Sequence, residues 1–392
     1  MDLVARLRAS LPAMLADVEA LVTCESPSSD HAAVATSAEV VAQIGQRRLG
    51  VAPERIVLDG WTHLRWRLGL GRRVLLLGHH DTVWPVGSLV THPFTIDGGL
   101  LRGPGCLDMK AGVILAVHAA AAAGTAVTLL VTGDEELGSP SSRALIEAEA
   151  RDSTAALVLE ASADGGALKT ERKGVSLYRV RATGRAAHAG LAPERGVNAT
   201  VELAHHVLAV SGLADPVRGT TVTPTRLWAG TTTNTVPAMG ELAVDVRVRD
   251  AAEQRRVDDA MRSLRSLEPG ALLEVTGGPN RPPMPASASA ALFARAAALA
   301  VELGLPPLAG VAVGGGSDGN FTAGVGTPTL DGLGAVGGGA HAADEHVVVA
   351  ELPRRAALIA ALVIDLMSGP ERSAPGRSAA TNRITASRGD RP

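Results

Sequence analysis

The apolar positions change their period part-way along the chain. Between about residues 50 and 160, short unbroken apolar runs alternate with stretches of helical character. The runs 73–78, 126–132 and 156–160 read as strands buried on both faces, which need no polar alternation. Residues 109–123 and 139–150 between them read as helices, so this part is expected to be an α/β layer with a largely parallel sheet. Near Gly174 the pattern shifts. Val175, Leu177, Val180 and Ala182 mark a slightly irregular strand, followed by a helix over 197–212 and strands over 221–228 and 241–249. The last alternates cleanly through Leu242, Val244, Val246 and Val248, as a strand with one buried face must. A helix over 251–267 and a strand over 272–276 complete the order βαββαβ, that of a ferredoxin-like unit.

The expected fold is therefore α/β: a mixed, mostly parallel sheet flanked by helices, with an inserted α+β ferredoxin-like domain. The larger domain would comprise residues 1–173 and 282–368, and the insertion residues 174–281. The Pro-rich stretch 281–285 is the expected return hinge, followed by helices over 287–303 and 351–367. Residues 369–392, rich in Ser, Arg, Gly and Pro, are expected to be disordered. An Arg388-Gly389-Asp390 tripeptide in such a tail is expected to be coincidental.

A length of 392 residues suits two domains. Aromatic residues make up only 2%, so Ala, Val and Leu must build the core. Basic and acidic residues nearly balance, 37 against 40, which argues against a nucleic-acid partner. Two distant cysteines, Cys24 and Cys106, form no disulfide framework and suit a reducing cytoplasm. The first twenty residues have amphipathic-helix spacing rather than the pattern of a signal peptide, and the apolar stretch 116–123 is too short to span a bilayer. A cytoplasmic location with no membrane partner is the expectation.

Candidate chemistry gathers where the strands end, the place where open α/β sheets bind ligands. The first run ends in His79-His80-Asp81-Thr82, the second in Asp134-Glu135-Glu136, the third in Glu160. A Gly/Pro loop presents Asp108 ahead of a helix, and a Gly-rich loop presents His341 after a strand at 327–330. A lone Asp or His at a loop start is ordinarily a solvated charge. Several at successive strand ends, flanked by glycines, point to a metal site. Mixed histidine and carboxylate ligands suit Zn²⁺, admit Mn²⁺ or Co²⁺, and do not suit Ca²⁺. Pleating puts His79 and Asp81 on one face and His80 on the other. Asp81 is thus placed to hold the second ring nitrogen of His79, and His80 reads as structural.

The set His79-x-Asp81-Thr82, Gly105-x-x-Asp108-Met109-Lys110 and Asp134-Glu135-Glu136 resembles the dinuclear zinc peptidase family of glutamate carboxypeptidase, aminoacylase and succinyl-diaminopimelate desuccinylase. So do Gly184-x-x-x-His188-Ala189-Gly190, Asn234-Thr235-Val236-Pro237, Asp245-Val246-Arg247 and residues 338–341. The likeness runs from about residue 60 to 365 and is nearest to the glutamate carboxypeptidase branch, through residues 78–85. It implies two zinc ions per subunit and a homodimer formed through the inserted domain. Asp108 would bridge the ions, with the peptide after it cis. His79 and Glu160 would complete one site, and Glu136 and His341 the other. The resemblance also makes Glu135 the general base and places Asp81 among the catalytic residues. His188 would reach the partner's site to hold the oxyanion, while Asn234 and Arg247 would clamp the substrate carboxylate. The implied substrate is a small peptide or N-acyl amino acid that loses a C-terminal residue such as glutamate. An aminoacylase or dipeptidase activity is the alternative, and a metal-free binding protein on the same fold a more distant one.

Several signals are set aside. Gly332-x-Gly334-x-x-Gly337 matches a dinucleotide fingerprint but lacks the strand and helix context, and reads as the loop presenting His341. Residues 314–318 read as a helix cap, with Ser317 or Asp318 as the capping residue, in preference to a substrate-carboxylate site. Cys106 has no local base and is not expected to be a nucleophile. Arg172 and Lys173 at the domain junction are candidates to meet a second substrate carboxylate.

Overall fold

The computed structural model describes residues 2–369; the expected disordered tail beyond them, with its Arg-Gly-Asp tripeptide, lies outside the described residues. The main sheet contains β1 (Glu54–Leu58), β2 (Trp61–Leu68), β3 (Arg73–His79), β6 (Val127–Thr132), β7 (Ser153–Val158) and β16 (Thr329–Leu330), in the order β1-β2-β6-β3-β7-β16. The pairs β3–β6, β3–β7 and β7–β16 are parallel, whereas β1–β2 and β2–β6 are antiparallel. The β1–β2 hairpin turns on Asp59-Gly60, both at positive φ (49° and 95°). That is the two-residue loop for which Asp-Gly is among the strongest short-range signals, and the sequence carries it.

Both faces of the sheet are covered. Val74, Leu76 and Leu129 pack with α4 (Ala111–Ala123) and α10 (Leu352–Met367) in one core, joined by α1 (Leu3–Ala9), α2 (Leu11–Val22), α3 (His31–Leu49) and α8 (Ala286–Glu302). Leu75, Leu77 and Leu130 point the other way, onto α5 (Arg143–Arg151) and Phe321 of α9 (Gly319–Gly324). This two-sided burial explains why β3 and β6 are continuous apolar runs. Each such Leu or Val contributes roughly 1.5–3 kcal/mol by leaving water. The apolar stretch around 116–123 belongs to an 18-residue window, Cys106–Ala123, long and apolar enough to cross a membrane by composition; 78% of it is buried inside the protein.

The inserted unit has β9 (Gly174–Thr183), α6 (Ala199–Ser211), β11 (Thr221–Ala229), β13 (Met239–Val248), α7 (Ala251–Arg262) and β14 (Leu272–Arg281). Its antiparallel sheet runs β11-β13-β9-β14, the ferredoxin-like order. It has its own core, in which Val180, Leu242, Val244 and Val246 meet Leu203 of α6 and Val257 of α7. β14 does not stop at residue 276. It continues through Gly277, Gly278 and Pro279 to Arg281, so the expected hinge residue Arg281 is the last residue of a strand.

Three small sheets complete the frame. β4 (Thr95–Asp97), β5 (Leu100–Arg102), β18 (His346–Val348) and β17 (Gly337–Gly338) lie beside the Asp108 turn. β8 (Leu168–Arg172) pairs with β15 (Gly310–Val313), and β10 (Ala187–His188) with β12 (Thr235–Val236). Gly112, at the start of α4, lets the helix lie against the chain leading to Glu160, because a Cβ there would sit 2.1 Å from the carbonyl oxygen of Leu159. Helix propensity alone predicts that Gly112→Ala stabilises by about 1 kcal/mol. The packing predicts the reverse: a lowered Tm by calorimetry, and an unchanged or raised Tm would show that α4 can move away freely.

Candidate active site and metal centre

The parallel strands deliver their carboxyl ends to one rim. His79 is the last residue of β3, Asp134 to Glu136 follow β6, and Glu160 follows β7. Asp108 lies in the turn Cys106–Lys110, whose entry at Gly105 (φ 66°) has no room for a Cβ against Thr82, and the Asp108–Met109 peptide is cis. His341 reaches the rim from a Gly-rich loop and itself adopts φ 64°.

The two histidines flank one carboxylate. His79 Nε2 lies 3.5 Å from Asp108 Oδ1 and 3.8 Å from Glu160 Oε1. His341 Nε2 lies 3.2 Å from both Asp108 Oδ2 and Glu136 Oε1. Thus each oxygen of Asp108 faces a different imidazole. A tetrahedral ion with bonds of about 2.1 Å separates its ligand atoms by roughly 3.4 Å, close to all four spacings. His79 Nε2 is also buried without a hydrogen-bond partner, while its Nδ1 lies 3.0 Å from the carbonyl oxygen of Asp81. With the proton on Nδ1, the Nε2 lone pair points into the site, as a metal ligand requires. Five carboxylates (Asp81, Asp108, Glu135, Glu136 and Glu160) gather here, and the residues present fit a pair of divalent cations.

Two trios of donor atoms lie within 4.8 Å of one another, His79-Asp108-Glu136 and His79-Glu135-Glu160. Glu135 therefore stands within reach of a ligand position, whereas the family resemblance implies a general base there. Its ion pair with Arg281 sets it apart: Arg281 Nη2 donates to Glu135 Oε1 at 2.7 Å. Burial pushes the Glu135 pKa well above the usual carboxylate range, against the pull of Arg281 and His79. Burial and the charge of Asp108 likewise raise Glu160, to about 7. Asp108 goes the other way: burial resists its charge, but His341 and His79 outweigh that and hold its pKa well down.

Asp81 does more than expected, and by a different route. The closer partner of His79 Nδ1 is the Asp81 backbone carbonyl, with the carboxylate at 3.4 Å. That carboxylate accepts from the Ser28 hydroxyl at 2.6 Å and from the N–H groups of Glu135 and Glu136 at 3.3 and 3.2 Å. One side chain thereby sets the turn carrying both glutamates. His80 is structural, bonded to Ser37 and to the Thr62 carbonyl, and burial lowers its pKa to about 4.

Other residues of the site carry no sequence motif. Glu345 accepts N–H bonds from Gly105, Leu107 and Asp108 at 3.1, 2.8 and 3.0 Å, and from the Trp84 indole, fixing the Asp108 turn. Arg281 also donates to Ser139 and Asp318. Asp318 was a candidate cap, but its carboxylate instead accepts from Ser139, Thr132 and Arg281; Ser317 accepts the Gly319 N–H. The guanidinium of Arg172 is filled by Asp331 at 2.6 and 3.1 Å, and Lys173 donates to the Gly219 carbonyl, so neither is a free carboxylate receptor. Gly332 to Gly337 starts no helix; Gly334 N–H donates to the Glu160 carbonyl. Burial raises the Cys106 thiol pKa, as suits an inert cysteine.

His188, Asn234 and Arg247 lie on the inserted unit and make no hydrogen bond or ion pair with the metal cluster among the described residues. Exposed His188 accepts the N–H groups of Gly190 and Leu191 on Nδ1, both at 3.1 Å. Asn234 is exposed and pairs through its carbonyl with Ala189 N–H. Arg247 forms a two-pronged ion pair with Asp245, both bonds 2.8 Å.

A rim of this kind on this fold defines a metal-dependent hydrolase. The chain belongs to the peptidase family M20/M25/M40, matched over residues 75–365. It is similar to carboxypeptidase G2 of Pseudomonas sp. (strain RS-16), 32% identical over 380 residues, which span 91% of this chain and 90% of that one. It is also similar to succinyl-diaminopimelate desuccinylase of Methylorubrum extorquens (strain PA1), 30% identical over 334 residues, 74% of this chain and 82% of that one. In fold it resembles the M20 family metallo-carboxypeptidase Sso-CP2 from Sulfolobus solfataricus, with TM-score 0.73 and 15% identity, covering 90% of this chain and 99% of that one.

Glu345 touches no ligand position directly, yet it holds the turn that presents Asp108. Glu345→Ala should weaken metal binding by about 10–100-fold, measured by competition with a chelator. Unchanged affinity would mean that the turn holds its shape without those three bonds.

Proposed function

We propose that the protein hydrolyses the amide bond joining a C-terminal amino acid to an acyl or peptidyl group, with glutamate as the leading candidate for the amino acid. The observation that carries this reading is the Asp108 carboxylate set between His79 and His341 with Glu135 beside it. Asp108 would be shared by two Zn²⁺ ions, with His79 and Glu160 on one and Glu136 and His341 on the other. Ions held there would lower the pKa of a shared water towards neutrality and polarise the substrate carbonyl.

The chain's own groups do the rest. Glu135, held by Arg281, takes the proton of the attacking water and passes it to the leaving amine. Asp81 keeps the His79 ring and the Glu135–Glu136 turn in register. His188, with Nδ1 occupied as an acceptor, carries its proton on Nε2 and presents it outward, suited to an oxyanion in the partner's site. Asn234 and Arg247 would meet the substrate carboxylate in the same closed dimer, Arg247 exchanging Asp245 for it. A homodimer through the inserted unit is supported by its open edge strand β11, where Leu227 and Trp228 are each 45% exposed, and by Leu208 on α6. The free thiols of Cys24 and Cys106 support a cytoplasmic setting. The inserted domain is taken as residues 174–281, between catalytic segments 1–173 and 282–368.

Zinc-loaded Glu135→Gln should bind two metals and lose at least about a hundred-fold in turnover; near-normal turnover would remove Glu135 as the base. For the shared site, Glu135→Gln and His188→Ala are each expected to be inactive alone. Mixed and re-associated, they should recover roughly a quarter of wild-type activity, because half the sites in mixed dimers are complete. No recovery in verified mixed dimers would place His188 outside the partner's site.

Substrate choice is settled by a panel of peptidyl, pteroyl and N-acyl derivatives of glutamate beside neutral and basic counterparts, read by mass spectrometry. Preference for C-terminal glutamate whatever the acyl group supports the carboxypeptidase reading. Preference for one acyl group, or for a neutral amino acid, moves the assignment to an aminoacylase or dipeptidase, in line with the desuccinylase relative.

A further inference from the structure

A second cleft lies outside the catalytic rim. It has a volume of about 530 Å³ and is bounded by the turn Asp164–Gly166, residues 305–309 before β15, Val336, and the first two turns of α10. That is within the size range of small-molecule sites. Leu305, Pro306, Pro307, Leu308 and Leu358 make its walls apolar, and none of the metal-site side chains lines it.

Two arginines line it, Arg354 and Arg355, and Arg355 is the buried one. The residue is only 5% exposed, and Nη2 donates to the Gly166 carbonyl, but Nη1 is buried with no partner among the described residues. No carboxylate forms an ion pair with Arg355 among the described residues. The neighbouring Glu351 is engaged by Arg354, and Asp164 stands exposed at the rim. A buried guanidinium with no ion-paired carboxylate is costly, and burial pulls its pKa down to about 10 against the opposing charge of Glu351. An anion with an apolar body would supply the missing acceptor and cover the Pro and Leu walls together. Glu351 and Asp164 nearby disfavour a multiply charged anion such as phosphate.

We propose that this cleft is a second binding site, for a small monocarboxylate with an apolar body, whose carboxylate accepts from Arg355 Nη1. The site is independent of the reading of the metal centre given above.

The test is calorimetric titration of the zinc-loaded enzyme with hexanoate, and with hexanamide as the uncharged counterpart. Saturable binding of hexanoate is expected, weakened roughly ten-fold or more for hexanamide and in Arg355→Met. Because Arg355→Met replaces a buried residue and can disturb folding, Ala309→Trp provides a second arm. Ala309 is exposed at the cleft's edge, and a bulky ring there should block binding while leaving the core intact. His341→Ala, which alters the metal centre, should bind hexanoate as the wild type does. The proposal is overturned if hexanoate shows no saturable binding or hexanamide binds equally well. It is equally overturned if Ala309→Trp leaves affinity unchanged, or if His341→Ala abolishes binding and so moves the carboxylate to the metal centre.

Discussion

The carboxylate of Asp108 must stand between two imidazoles that arrive from opposite ends of the chain, and much of the catalytic unit serves that requirement. His79 comes rigidly, on the end of a central strand buried on both faces. His341 comes on a loop, and is about half exposed where His79 is 1% exposed. Asp108 itself sits on a turn with little regular structure, so its position depends on Glu345 accepting from three amides of that turn and on Gly105 clearing Thr82. Without such supports, several carboxylates in one buried pocket would repel one another and open the rim. With cations between them, the same crowding becomes the source of binding.

Arg281 ties the inserted unit to this rim. It closes β14, strand of one core, and its guanidinium ends on Glu135, Ser139 and Asp318 of the other. Asn280 beside it donates to the Gly138 carbonyl, and its own carbonyl accepts from Arg143. The turn that carries the candidate base is thus gripped from the inserted unit, while Asp81 grips it from below. Any movement of the inserted unit towards substrate would be felt first at Glu135. Arg281 and Asn280 thus link the position of the inserted unit to the placement of Glu135 directly.

The motif residues could be read early because of where parallel strands put them. A buried strand announces itself as an apolar run, and the first polar residues after it emerge at the rim where ligands bind. His79, Asp81, Glu135, Glu136 and Glu160 follow from that rule, and the ferredoxin-like order follows from the alternation in β13 and the spacing of α6 and α7. The Asp59-Gly60 hairpin was equally legible in principle, and it supplies the antiparallel pairs of the mixed, mostly parallel sheet.

By itself, then, the sequence determined the fold class, the inserted unit and a set of candidate ligands at strand ends, because each depends on local periodicity. Only the tertiary structure decided which groups hold those candidate ligands in place. Glu345 lies 240 residues beyond the Gly105 amide it accepts, and Arg281 reaches back 146 residues to Glu135. Nothing in the local pattern distinguishes either from a solvated surface charge. The same holds for Arg172, whose guanidinium Asp331 fills, and for Arg355, whose Nη1 has no partner among the described residues. Whether a buried charge finds a partner is settled by chain segments that meet only in the folded protein, and the energy at stake there is too directional to leave a trace in composition or period.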